Sequence, residues 1–500
     1  MNSAETGTGR TILKNAGVLM VSQLATWGLS LLLTLFLPRY LGVTSIGKLH
    51  LAESLWSIVS VVVAFGMDTL LIKEIARRPE RVGDLLGTTM VVRTFFHLIG
   101  FFGLVLYARA FDYPSETLTI IYIIGISSLL GQYGGSVTAA LQGLERMDFQ
   151  SIANVLSRAI GTVISIILLL MGYKLIVIVS VFVLISLVNF LTQFLLLRRV
   201  QDFKLRFTWG QGKEMLKYSL PLFGVGFFII VYSQLDIVII SHLVNEDGVG
   251  WYGVADRFFG TLLFVPTVFL TAVFPALSRM FSSSPNSLPR LMGKSFDLLF
   301  VLSVPIGLGL IAISSPLVIG LFGEEFANTA PILAVRGIVL IFTYQNILLG
   351  QFLISIDRQN SWSFVLAAAT LATIPLDFLL IPWCETAFSN GAIGGALAYI
   401  VTEVGMFIIA LRLLPKGWLN KNNTKFAVKT VIAGLVMLFA VWWVKDLFIL
   451  IPILVGVMTY LGMILVLRII PKEDWLLIRE LGQAVTKRVQ KPQPKLSKTG

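Results

Sequence analysis

ILKNAGVLMVSQLATWGLSLLLTLFL, residues 12–37, holds a single charged side chain, Lys14, and is long enough to cross about 30 Å of hydrocarbon as a helix. Arg10 and Lys14 precede its apolar body as they would in a signal peptide. The run is too long for that and lacks a small-x-small cleavage site, so it reads as a retained first span. Comparable runs recur as far as Arg468. Barrel strands would be about half as long and would alternate in polarity. Composition agrees: 56% of the residues are hydrophobic, 13% are charged and the mean hydropathy is +0.85. A soluble domain carries about a quarter of its residues as charges, so the bilayer must be the solvent here.

Read against their polar breaks, the apolar runs place spans near 12–37, 48–67, 90–111, 118–141, 152–171 and 174–197. A second set lies near 218–243, 250–275, 296–320, 329–355, 361–382 and 391–412, and a final pair near 426–444 and 447–468. The expected fold is an all-α integral membrane protein of about fourteen transmembrane helices. Its expected units are an N-terminal six-helix lobe over 1–200, a C-terminal six-helix lobe over 201–415, a helix pair over 416–470 and a basic tail over 471–500. Alternate connections separate by charge. One side, with both termini, holds Lys73, Arg77, Arg78, Arg81, Arg146, Arg198, Arg199, Lys204 and Arg206; the other holds Asp112, Glu116, Glu246, Asp247, Glu324 and Glu325. The positive-inside rule makes the first side, and both termini, cytoplasmic in the plasma membrane. The net charge of +12 and the basic tail then read as an anchor beside anionic lipid, not as a nucleic-acid site.

A shift of 203 residues aligns Lys14 with Lys217, Gly47 with Gly250, Ala52 with Ala255 and Glu53 with Asp256. These pairs fall at corresponding points of corresponding spans, which points to a duplicated six-helix unit. Six spans per unit bring the second copy in with the orientation of the first. Such parallel repeats normally form a transporter with its site between the lobes.

Enzymatic chemistry finds no footing. Gly-x-x-x-x-Gly-Lys-Ser/Thr, His-Glu-x-x-His and Gly-x-Ser-x-Gly are all absent, so a phosphate-cradling loop, a zinc protease and a serine nucleophile elbow are unsupported. One cysteine, Cys384, excludes an internal disulfide, and the histidines His50, His97 and His242 lack partners at ligand spacing, so no metal site is expected.

The segment Leu37-Pro38-Arg39-Tyr40-Leu41-Gly42-Val43-Thr44-Ser45-Ile46-Gly47 resembles the turn that leaves the first helix of polysaccharide and oligosaccharide-lipid flippases in the multidrug/oligosaccharidyl-lipid/polysaccharide exporter superfamily. Further similar pieces follow in order: Ile72–Arg77, Asp236, Gly250–Arg257, Phe274–Ser278, Pro305, Ser315-Pro316 and Leu321–Phe326. The resemblance implies two six-helix lobes around a cavity and inner-to-outer movement of an oligosaccharide linked to a polyprenyl diphosphate. It further implies membrane lipids as surroundings, glycan polymerases or glycosyltransferases as possible partners, and no cofactor beyond a coupling sodium ion, a proton or the membrane potential. Rivals are a cation-coupled multidrug exporter of the same superfamily and a membrane-embedded glycosyltransferase or polymerase.

Charges at mid-membrane cost roughly 2.5–3.5 kcal/mol each, so those retained need a partner or a task. Glu53, Asp236, Asp256, Arg257, Arg336, Asp377 and Glu403 all lie within expected spans. Arg257 and Arg336 are candidates to face the cavity and hold a diphosphate or acidic sugar, since guanidinium matches phosphate oxygens in a bidentate fork. The alternative is an ion pair with Asp256, Asp236 or Asp377. Lys14 and Lys217, at helix starts, could meet an incoming diphosphate as a symmetric pair, or snorkel to headgroups. Glu53, Asp236, Asp256, Asp377 and Glu403 are candidates for ion coupling or lobe gating, with polar glue between helices as the plain alternative. Arg93 and Arg158 read as cytoplasmic anchors. Pro221, Pro266, Pro275, Pro305 and Pro375 are places where a helix can bend.

Overall fold

Lipid offers the backbone no hydrogen-bond partner, so each apolar run closes its own bonds as a helix. The computed structural model describes residues 3–270, 288–415 and 417–469. The basic tail, the Phe274–Ser278 segment with Pro275, and the side chains of Lys14 and Pro221 lie outside the described residues. The first half comprises α1 (Ser3–Leu41), α2 (Val43–Ala64), α3 (Met67–Arg77), a 3₁₀ turn at Pro79–Arg81, α4 (Val82–Ala110), α5 (Ser115–Gly143), α6 (Met147–Leu170) and α7 (Leu175–Val200). The second comprises α8 (Trp209–Leu243), α9 (Glu246–Leu262), α10 (Leu288–Phe322), α11 (Thr329–Ser355), α12 (Gln359–Phe388) and α13 (Ala392–Leu413), followed by α14 (Lys421–Trp443) and α15 (Leu450–Val466). Among the described residues 13 stretches are long and apolar enough to cross a membrane, and α15 is a shorter apolar helix. The chain is an all-α, multi-pass membrane protein.

Two devices interrupt the helices. Phe65 (φ 45°) and Gly66 (φ 69°) both sit in the left-handed region and split the second span into α2 and α3. That conformation is uncommon for an aromatic residue. Its ring is held between Phe96 and Phe223 at 5.9 and 4.6 Å. Prolines make the second device, because each leaves the carbonyl four residues earlier without its N–H. Pro305 frees Val301, whose carbonyl accepts from Tyr460 of α15 at 2.8 Å. Pro266 frees Leu262, whose carbonyl accepts from Tyr344 of α11 at 2.6 Å. A tyrosine from a neighbouring helix thus satisfies each vacated acceptor.

Helix α2 packs against α4 and α5 on one side and against α8 and α9 on the other, so the halves meet along it. At the α2–α9 crossing, residues 203 apart in sequence face one another. Thr44 donates to Asp247 at 2.6 Å. Gly47 lies against the Glu246 carbonyl and the Gly250 nitrogen, where a Cβ would come within 1.8 and 3.1 Å. Gly253 lies against the His50 ring. Residues that meet their own repeat partners must lie near a two-fold axis relating the copies.

The apolar clusters show how the halves join. At the Gly42 end, Leu37, Val43, Ile120 and Ile178 merge with Ile240, Val249, Phe326, Ile332 and Ala396 into one cluster drawn from both halves. At the opposite, Arg78 end the clusters part: Leu71, Leu86, Leu141 and Leu197 form one with Met215 of α8, while Met292, Leu349, Phe352, Trp362 and Met406 form another. The two halves are therefore sealed together at the Gly42 end, whereas at the other only α8 of the second half stays packed on the first. Helices α14 and α15 attach to α10 through Ala312, Met437, Val441 and Tyr460.

Candidate functional site

Between the halves lies a cavity of about 780 Å³ walled by α1, α6 and α7 and, across from them, α9. It adjoins a second space of about 560 Å³ towards α2 and α8, with Glu53, Ser127, Gly131, Phe182, Ser186 and Arg257 common to both walls. Apart from Arg158 and Glu53, its first-half face is neutral and polar. Asn189 Nδ2 donates to Asn154 Oδ1 at 2.9 Å and to Ser157 Oγ at 3.1 Å, and Gln193 Nε2 donates to Asn189 Oδ1 at 2.7 Å. Thr26, Ser30, Ser127 and Ser186 add hydroxyls, and Trp27, tilted against Phe264, adds an aromatic face.

The charges in this wall are Arg257, Arg158 and Glu53. Arg257 Nη2 donates to Glu53 Oε2 at 2.5 Å, bridging α9 and α2. Its partner thus comes from the opposite half, not from Asp256, Asp236 or Asp377. Arg158 corrects an expectation: it is no anchor but part of the cavity wall, sharing the field of Glu53 and Arg257. Arg93 is a correction too. It is fully buried, donating to Asp68 at 2.7 Å, Gln132 O at 2.6 Å and Ser136 at 2.8 Å, and so ties α3 to α4 and α5 below the Phe65 break.

Of the two readings of Arg336, facing the cavity or pairing with an aspartate, the structure shows the second. Arg336 is 1% exposed, inside the second half. Its guanidinium pairs with Asp256 at 3.0 Å, donates to Tyr252 Oη at 2.5 Å and lies 4.5–5.0 Å from the ring centroids of Tyr252, Phe259 and Tyr399. Tyr252 in turn donates to Asp236 Oδ2. Asp377, from α12, lies against Asp236; neither oxygen of Asp377, nor Oδ1 of Asp236, meets a donor among the described residues. Asp256 also borders the smaller space beside Arg257. One polar line therefore runs from the cavity wall through Asp256, Arg336 and Tyr252 to the Asp236–Asp377 pair. Glu403 stands apart, accepting from Asn346 Nδ2 at 2.6 Å and Tyr232 at 3.4 Å. Lys217 is exposed near the start of α8 and lines neither space.

The cavity is closed at the Gly42 end by more than apolar packing. Val43 N donates to Glu325 at 3.0 Å, Lys48 pairs with Glu116 at 2.7 Å and Glu246 at 3.6 Å, and Thr117 donates to Glu246 at 2.8 Å. Tyr107 bonds His242, and Tyr113 bonds Ser241 at 3.0 Å. These contacts join α2, α4 and α5 to α8, α9 and the turn after α10.

The amides of the cavity escaped a reading centred on charge. Asn154, Ser157 and Gly161 recur at spacings of three and four, as do Ser186, Asn189 and Gln193. That period marks one helix face, and a polar face on an otherwise apolar span was the available signal.

Apolar helices here gather around a polar cavity that is shut at one end. The chain belongs to the polysaccharide biosynthesis protein family, whose model matches residues 12–281. It is 24% identical over 337 residues to the succinoglycan biosynthesis transport protein ExoT of Rhizobium meliloti (strain 1021), covering 66% of each chain. It is 25% identical over 189 residues to the probable flippase AglR of Haloferax volcanii, covering 37% of this chain and 38% of that one. The chain thus spans less than two thirds of the length of the curated relatives it matches. Among solved structures it is similar to the lipid II flippase MurJ in an inward closed conformation, with a TM-score of 0.66, 17% identity and coverage of 90% of this chain and 98% of the other. It is also similar to a multidrug resistance MATE family transporter of the MOP superfamily in its inward-facing conformation, with a TM-score of 0.62, 12% identity and coverage of 76% and 93%. The fold is like that of these two solved structures.

Proposed function

We propose that this protein moves a lipid-diphosphate-linked oligosaccharide across the membrane by alternating access, from the leaflet at the Arg78 end to the one at the Gly42 end. The observation that carries this reading is the make-up of the cavity wall: amides and hydroxyls suited to sugar hydroxyls, beside two guanidiniums and one carboxylate. Arg158 and Arg257 outnumber Glu53, which suits a diphosphate and repels the organic cations a multidrug exporter would take. With the positive-inside rule, the closed end is extracytoplasmic and the termini are cytoplasmic. A membrane-embedded glycosyltransferase would need a substantial extracytoplasmic loop bearing acid and base groups, whereas the turns at the Gly42 end, such as 111–114, 171–174 and 389–391, are a few residues long. The relatives ExoT and AglR, named for transport and flipping, favour the same reading.

Coupling belongs to the second half. Two carboxylates side by side away from water need a cation or a shared proton between them, and Asp236 and Asp377 stand so, with oxygens left unpartnered. Glu53 and Asp256, each paired with an arginine, act instead as links across and behind the seam. Filling the Asp236–Asp377 pair would alter the hold of Asp236 on Tyr252 and, through Tyr252, that of Arg336 on Asp256, and so reach the cavity.

The test is reconstitution in vesicles with a fluorescent polyprenyl-diphosphate oligosaccharide. Translocation dependent on the protein is expected, and its loss in Arg158→Gln/Arg257→Gln. Extrusion of organic cations in place of glycolipid movement would overturn the reading.

A further inference from the structure

A second basic space lies far from the central cavity, where α3, the Pro79–Arg81 turn and α4 of the first half face the start of α8. It measures about 550 Å³ and is lined by Lys73, Arg77, Arg78 and Arg81 together with Gln211, Tyr218 and the carboxylates Glu74 and Glu214. Among the described residues only Arg77 of these cations makes an ion pair, a loose one with Glu74 at 3.8 Å. Lys73, Arg78 and Arg81 converge on a concave surface with no carboxylate within pairing distance. A positive-inside girdle needs charge but no concavity.

The pocket is built, not incidental. Residues 201–208 cross from α7 to α8 as an extended strap pressed onto α4. Gly83 and Gly87 permit this, since a Cβ on either would come within 2.3–2.4 Å of the Lys204 or Arg206 carbonyl. Arg206 N donates to Gly83 O at 3.3 Å, Gln201 Nε2 to Pro79 O at 2.6 Å and Thr208 N to Thr88 Oγ1 at 3.3 Å. The strap thereby holds Gln211, Glu214 and Tyr218 opposite the arginines. Tyr218 is 64% exposed and Leu70 half-buried, so apolar surface adjoins the basic end. Cations converging at one end of an apolar rim match a phosphate group carried on a lipid.

We propose that this pocket binds the phosphate of a lipid headgroup in the leaflet at the Arg78 end, bridging the first half to α8. Its chemistry does not depend on what crosses the central cavity. Two lipids carry that group, the bulk anionic phospholipid and a polyprenyl diphosphate, and they are titrated separately.

The experiment is native mass spectrometry of the full chain in detergent with phosphatidylglycerol or polyprenyl diphosphate. Replacing Lys73, Arg77, Arg78 and Arg81 by Gln should weaken retention at least about tenfold. Arg198→Gln/Arg199→Gln, at the same end on α7, should leave it unchanged. Glu214→Gln should tighten it, a gain that misfolding cannot produce. Stronger retention of either lipid assigns the pocket to that lipid. Equal loss in the Arg198/Arg199 control, a fall with Glu214→Gln, or displacement by inorganic pyrophosphate at matched concentration would overturn the proposal.

Discussion

Around the cavity the two halves of this molecule treat polarity differently, although the first also buries Arg93 against Asp68. In the first, Asn154, Ser157, Asn189 and Ser186 open neutral dipoles onto the cavity. In the second, Arg336, Asp256, Tyr252, Asp236 and Asp377 bury charge inside the helix bundle. The contrast fits a division of labour between the two halves. Neutral dipoles facing water can exchange partners with a passing glycan at little cost, whereas buried charges are locked by one another and respond only when one of them gains or loses its counter-charge.

The largest expected effect tests whether the second-half cluster is locked. Arg336→Met leaves the part-buried Asp256 and the buried Asp236 without their cation and should lower stability by about 3–5 kcal/mol, read as a drop in Tm in detergent. Arg336→Met/Asp256→Leu, which removes both charges, should regain much of that. A double variant no more stable than the single one would break the argument that mutual compensation holds this region.

Next comes the charged seam. Arg257→Gln should slow flipping by about 10–100-fold, the worth of one charge-assisted contact, while leaving Tm nearly unchanged. An unaltered rate would move diphosphate recognition elsewhere. Asp377→Asn should leave basal flipping measurable but abolish its response to an imposed sodium or proton gradient; a response equal to that of the unaltered protein would remove the Asp236–Asp377 pair from coupling. The smallest effect is expected on the neutral face, where Asn189→Ala removes one of several interchangeable dipoles and should weaken glycolipid binding only a few-fold. Should Asn189→Ala instead match Arg257→Gln, the first half would be locked like the second, and the contrast would dissolve.

How far the sequence carried these conclusions depends on what each residue had to meet. The spans were legible because length and hydropathy are local, and even the short α15 stands as a single apolar run. The 203-residue offset singled out Gly47 and Gly250, and the fold presses these two together at the crossing of α2 and α9. Arg257 was found by its charge, but not its partner: Glu53 lies 204 residues away on another helix. Arg336 and Arg158 exchanged roles for the same reason. Each is an arginine in an apolar run, and nothing local says whether the facing helix supplies an aspartate and aromatic rings or an open space.

What the amino-acid order determined alone is what lipid enforces residue by residue: apolar helices long enough to cross it, because an unsatisfied peptide group in hydrocarbon costs the same wherever the chain later goes. What only the packed molecule decided is which polar groups share a cavity, which neutralise one another and which end of the seam is shut. Those outcomes depend on distances between helices far apart in sequence, and a charge gains its meaning from whatever is brought within a few ångströms of it.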